Sequence, residues 1–196
     1  MNPPVALLPL ILLGASLAAC TADVASPPTA AAGAVRSAAS APSTLVEWPL
    51  PANVPGSALP DLERVPDGRL LLSWTNSQRG RRHILQFAAW DPVAGRWQSA
   101  PMTVAIGNSM FVNWADTPHI AATPDGALWV HWLQTRAEVP GAYDIMLSSS
   151  RNGGARWSAP LMPHDDGTAT EHGFVSLWPQ GPGSLGIAWL DGRGTA

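Results

Sequence analysis

The sequence is poor in several things, and each shortage excludes something. It has a single cysteine, Cys20, so no disulfide framework within the chain can hold the fold. Charged residues make up only 13% of the chain and the formal net charge is −3, which leaves no basic footprint for nucleic acid. The apolar run from Val5 to Ser16 is too short and too close to the terminus for a membrane span. There is one tyrosine against 10 tryptophans, and 18 Gly and 20 Pro punctuate the chain. Many corners joined to many large flat side chains imply short strands and tight turns, and hence an all-β fold. A length of 196 residues suits one domain with a sizeable core.

The first 19 residues have the length and hydropathy of a signal peptide, expected over 1–19. The run ends in Leu17-Ala18-Ala19-Cys20, which resembles the lipobox of bacterial lipoproteins. The resemblance implies cleavage before Cys20, lipidation of its thiol and a membrane contact through that lipid anchor. It places the protein in the bacterial cell envelope; Thr21, where an Asp would favour inner-membrane retention, favours the outer membrane. An ordinary cleaved signal with an unrelated cysteine is the competing reading. The opening Met1-Asn2-Pro3-Pro4 carries no Lys or Arg, which puts the assigned start in question. Residues 20–44 are Ala, Ser, Pro, Thr and Gly with little else, a composition that cannot bury enough apolar surface to order itself. A disordered tether is expected there, with the domain occupying 45–196.

Beyond Leu45 the chain repeats. The segment 66-PDGRLLLSW-74 returns as 124-PDGALWVHW-132, and 96-RWQSAP-101 returns as 156-RWSAP-160. A third copy opens at 183-GSLGIAW-189. Each full unit reads as four short strands, near 62–65, 69–74, 83–90 and 97–104 in the first and 119–123, 127–133, 144–149 and 157–162 in the second. Pro-Asp-Gly between the first two strands is a tight-turn sequence, because Pro presets φ and Gly accepts positive φ. The run Leu128-Trp129-Val130-His131-Trp132-Leu133 is apolar on both parities, as a strand covered on both faces must be. Four-stranded sheets repeating at this period are expected to stack as propeller blades.

Ser150-x-Asn152-x-Gly154-x-x-Trp157 resembles the Asp box of the sialidase-like, or BNR-repeat, β-propellers, with Asn152 where the family prefers Asp. In that family the motif is a structural turn between the third and fourth strands of a blade, on the face away from the active site. The first unit keeps a degenerate version, 91-DPVAGRW-97. The resemblance implies a sialidase-like β-propeller with blades near 59–104, 117–162 and an incomplete 171–196. That is about two and a half four-stranded blades of the six such a ring implies, as though the chain were an N-terminal fragment.

Strand order puts the Pro-Asp-Gly turns on the same face as the Asp box and the remaining loops on the opposite face. The densest polar cluster there is 163-PHDDGTATEH-172, whose His164, Asp165, Asp166, Glu171 and His172 form the first candidate site. Such residues suit a divalent metal or an acid/base pair, but their spacing matches no metal-ligand motif, so no metal or other cofactor is expected. A solvated loop explains them equally well. Asp191 with Arg193 is the second candidate, together with Trp114 as a ligand platform.

Sialidase chemistry, as the resemblance implies it, uses three arginines on a substrate carboxylate, a Tyr nucleophile with a Glu partner, and an Asp acid/base. The family's Arg-Ile-Pro motif is absent, and Tyr143, followed by Asp144, reads as a packing residue. The expectation is therefore a non-catalytic module that binds a glycan or a protein. The alternative is an exo-α-sialidase-type glycoside hydrolase whose catalytic residues lie mostly in further blades.

Overall fold

The computed structural model describes residues 44–51, 55–78 and 82–195. The chain divides into two compact units, Met1–Val46 and Glu47–Ala196. Cys20, the expected signal peptide and the expected tether up to residue 43 lie outside the described residues.

The second unit is all-β, its one helical element among the described residues being a 3-10 turn at Gly192–Thr195. The first sheet contains β1 (Ser57–Arg64), β2 (Leu70–Gln78) and β3 (Arg82–Asp91) in an antiparallel meander. β4 (Arg96–Trp97) and β5 (Met102–Gly107) share the far edge of β3. Pro101 lies between those two short strands and has no N–H to carry the ladder through. β1 starts five residues earlier than the apolar pattern suggests. It crosses Pro60 through a register shift between Ala58 and Asp61, with Leu59 at φ 53°. Proline is tolerated there because β1 is an edge strand.

The second sheet is built on β8 (Leu128–Thr135). One edge pairs with β9 (Tyr143–Ser150), and the other is divided between β6 (Met110–Phe111) and β7 (Ile120–Ala122). The strand expected over 157–162 shrinks to one bridge between Leu147 and Leu161. Pro160 and Pro163 flank that bridge and stop its extension. The third sheet is the hairpin of β10 (His172–Gly181) and β11 (Ser184–Asp191).

Apolar side chains on β8 divide between two interfaces. Val130 and Trp132 join Leu71, Leu85 and Phe87 of the first sheet in one core. Leu133 joins Tyr143, Ile145 and Val175 in a second core that reaches β10. The second sheet is thus covered on both faces, which is why β8 has no polar parity.

Candidate functional site

Strand β9 has two unlike ends. Asp144, at its start, and Ser150, at its finish, are separated by about 20 Å of extended chain.

At the finish is the turn that resembles an Asp box. Ser150 Oγ donates to Asn152 Oδ1 and accepts the Gly154 N–H, both at 2.9 Å. Asn152 Oδ1 also accepts the Arg156 N–H at 2.9 Å. Gly154 has φ 89°, and a Cβ there would sit 2.3 Å from the Phe87 ring. Trp157 meets the same ring edge-on, with centroids 5.9 Å apart. Arg151 Nη1 lies 3.3 Å from Asp125 Oδ2, and Asp125 Oδ1 accepts the Gly183 N–H at 2.8 Å. Those contacts gather the 150–157 turn, the β7–β8 turn and the β10–β11 turn at one end of the sheets. The degenerate copy in the first sheet uses the same device, with Asp91 Oδ1 accepting the Val93 and Ala94 N–H groups at 2.9 Å each.

At the start of β9 the chemistry changes. Asp144 is buried, and its Oδ2 accepts from Arg136 Nε at 2.7 Å. That hydrogen bond raises the Arg136 pKa. Its Oδ1 accepts no hydrogen bond among the described residues. It points at His164 Nε2, 3.7 Å away, and at His172 Nδ1, 3.9 Å away. The two imidazoles stack, with centroids 3.9 Å apart and planes 9° from parallel. Their other nitrogens face one atom, Asp166 Oδ2: His172 Nε2 at 3.1 Å and His164 Nδ1 at 3.3 Å. The Ile145 N–H donates to His164 Nε2 at 3.3 Å, which assigns the ring proton to Nδ1. Burial, then the neighbouring His172, push the His164 pKa down.

Two more groups close the cluster. Asp191 Oδ2 pairs with Arg193 Nη2 at 2.8 Å, and hydrogen bonds from Arg193 lower the Asp191 pKa. The Thr168 hydroxyl and backbone N–H bind Asp166 and hold its carboxyl far below the usual range. Three carboxylates (Asp144, Asp166 and Asp191) therefore face two guanidinium groups (Arg136 and Arg193) around a pair of buried histidines.

Next to this cluster lies a cleft of about 320 Å³ between Ala115–Thr117 and Phe174–Ser176. Asp116 is buried, and its Oδ1 accepts the Phe174 N–H at 2.8 Å. A register shift between Gly173 and Ser176, with Phe174 at φ 51°, breaks the alternation of β10. His172 consequently faces the buried cluster while Phe174 is turned outward, 55% exposed. A bulky residue in the left-handed region is strained, and such strain concentrates at ligand-contacting positions. Trp114, one residue from the cleft, is 93% exposed.

Of the residues expected from sequence, His164, Asp166 and His172 converge, and Asp191 and Arg193 join them rather than forming a separate site. Asp165 and Glu171 are exposed; the Glu171 carbonyl accepts the Gly192 N–H, and the Tyr143 N–H donates to the neighbouring Thr170 carbonyl. Trp114 stands at the cleft. Sequence reasoning did not select Asp144, Arg136, Asp116 or Phe174. The available signal for Asp144 was a carboxylate at the start of an apolar strand, where burial demands a partner. Tyr143 is buried, stacked on Phe111 at 4.3 Å, and burial raises its pKa to about 12.

No family model matches the chain, and no curated protein matches it. Among solved structures it is similar to an endo-arabinase from Bacteroides thetaiotaomicron, at 16% identity over 70% of this chain and 52% of that one, with a TM-score of 0.49. It is also similar to an endo-1,4-β-xylanase from the same organism, at 15% identity over 68% and 48%, with a TM-score of 0.44. The chain spans about half the length of these structures.

Proposed function

We propose that the chain is a lipid-anchored module of sialidase-like propeller type that binds a glycan, without hydrolysing it, at the end of the sheets where β9 begins. The propeller reading is supported by sheets that repeat in register and by an Asp-box turn whose Ser150 and Asn152 side chains bond within the turn. The binding reading is carried by one observation: Trp114 stands in solvent beside a cleft whose far wall is Phe174, held outward by strained backbone and by Asp116. Aromatic faces suit the apolar faces of sugar rings, and the polar groups of the cleft suit their hydroxyls. Catalysis gains no support from the described residues. Tyr143 is buried and hard to ionise, and Arg136 and Arg193 are both committed to aspartates.

Calorimetric titration with sialylated and neutral oligosaccharides tests this reading. Trp114→Ala should weaken binding about tenfold or more, consistent with the loss of one stacking platform. Binding unchanged in Trp114→Ala and Phe174→Ala would move the site elsewhere. A protein ligand retained by the same surface, with no sugar bound, would replace the glycan. The anchor is tested by mass spectrometry of the amino-terminal peptide, expected to carry lipid on Cys20 and to lose it in Cys20→Ala.

A further inference from the structure

The buried end of the cluster leaves one carboxylate oxygen without a hydrogen bond among the described residues. Asp144 is 7% exposed, its Oδ2 is taken by Arg136, and its Oδ1 is left without a hydrogen bond, aimed at two ring nitrogens. A buried carboxylate oxygen in that position calls for a cation.

We infer that Asp144 Oδ1, His164 Nε2 and His172 Nδ1 form a binding site for a divalent transition metal of the Zn2+ type. One ligand atom from each of these buried residues lies within 4.8 Å of the other two. Two imidazole nitrogens and one carboxylate oxygen are the donor set that such ions take. The surroundings fit as well. Asp166 Oδ2 is hydrogen-bonded to His172 Nε2 at 3.1 Å and lies 3.3 Å from His164 Nδ1, so it holds His172 with its opposite nitrogen towards Asp144. Arg136 fixes Asp144 in the same way, through the oxygen that the metal does not need. The Tyr143 carbonyl oxygen, 3.3 Å from His172 Nδ1, is a further donor within reach. A shared ion draws the ligating edges of the stacked rings together, so loading tilts the 9° stack and displaces the weak Ile145 contact to His164. This inference stands apart from glycan binding, because none of the three ligands lines the cleft.

The test uses the full chain, stripped with a chelator, dialysed and titrated with ZnCl2. One Zn2+ per chain is expected by elemental analysis, with a melting temperature raised by roughly 5–10 °C at a hundredfold excess over Kd. His164→Gln and Asp144→Asn should each weaken binding at least tenfold, whereas Asp191→Asn, outside the three ligands, should retain it. Zinc-edge X-ray absorption of the wild type reads the ligands without relying on any variant, and two imidazoles with oxygen are expected. Absent binding, binding indifferent to His164 and Asp144, fewer than two imidazole ligands, or a preference for Ca2+ over Zn2+ would each overturn the assignment.

Discussion

The two ends of β9 solve opposite problems with similar residue types. At Ser150 the hydroxyl and the Asn152 side chain bond each other and backbone N–H groups within one turn, so these groups are satisfied locally. At Asp144 the polar groups come from β9, the 163–172 loop, β10 and the end of β11, and one carboxylate oxygen is left over. The difference is one of origin and charge: the Ser150 turn is closed by bonds within a few residues, whereas the Asp144 cluster draws on four segments and leaves a buried carboxylate oxygen without a hydrogen bond among the described residues.

Acid attacks that comparison most strongly, from between the two ends. His131, in the middle of β8 opposite Leu147, is buried with neither ring nitrogen hydrogen-bonded, and burial pushes its pKa down to about 3. The folded protein therefore resists a proton that the unfolded chain accepts near 6.5. Stability is full above 6.5 and falls as pH drops towards 3, by up to about 1.4 kcal/mol per pH unit. Nearby His119 works in the other direction: its hydrogen bond to Asp61 raises its pKa, so its contribution is full below 6.5 and fades as pH rises through the raised value. Urea denaturation at stepped pH should show a steep acid limb that flattens in His131→Leu. A limb of unchanged slope would remove His131 as its cause.

At the architectural end, Gly154→Ala places a methyl group against the Phe87 ring and forces positive φ on an L-residue. A loss of about 3 kcal/mol is expected in the same denaturation assay. Ser150→Ala strands the Gly154 N–H and should cost about 1–2 kcal/mol, with ligand binding intact. At the other end, Trp114→Ala touches no core and should change stability by less than about 0.5 kcal/mol while weakening sugar binding. If Ser150→Ala abolished binding, or Trp114→Ala unfolded the chain, the two ends would have exchanged roles.

Much of the architectural end was legible in the sequence, because its interactions are local. The spacing from Ser150 to Trp157 is one turn, and the same turn recurs in altered form at Asp91. The repeat placed most strands for a related reason, since β pairing here joins neighbours in sequence. The reading failed where proline cut the ladder, at Pro101, Pro160 and Pro163, because apolar alternation does not register a missing N–H. The end where β9 begins was half legible. His164, Asp166 and His172 lie close in sequence and were found together. Asp144 and Arg136 come from the preceding hairpin, so linear spacing shows no ligand motif. Asp165 and Glu171 looked equivalent to their neighbours in sequence, but face solvent.

Hydrogen–deuterium exchange of the full chain with and without a binding oligosaccharide separates the two ends in one experiment. Ligand should slow exchange across 113–117 and 172–175 and leave 150–157 unchanged. Protection centred on 150–157, or no protection at either end, would contradict the claim that ligand binds where β9 begins.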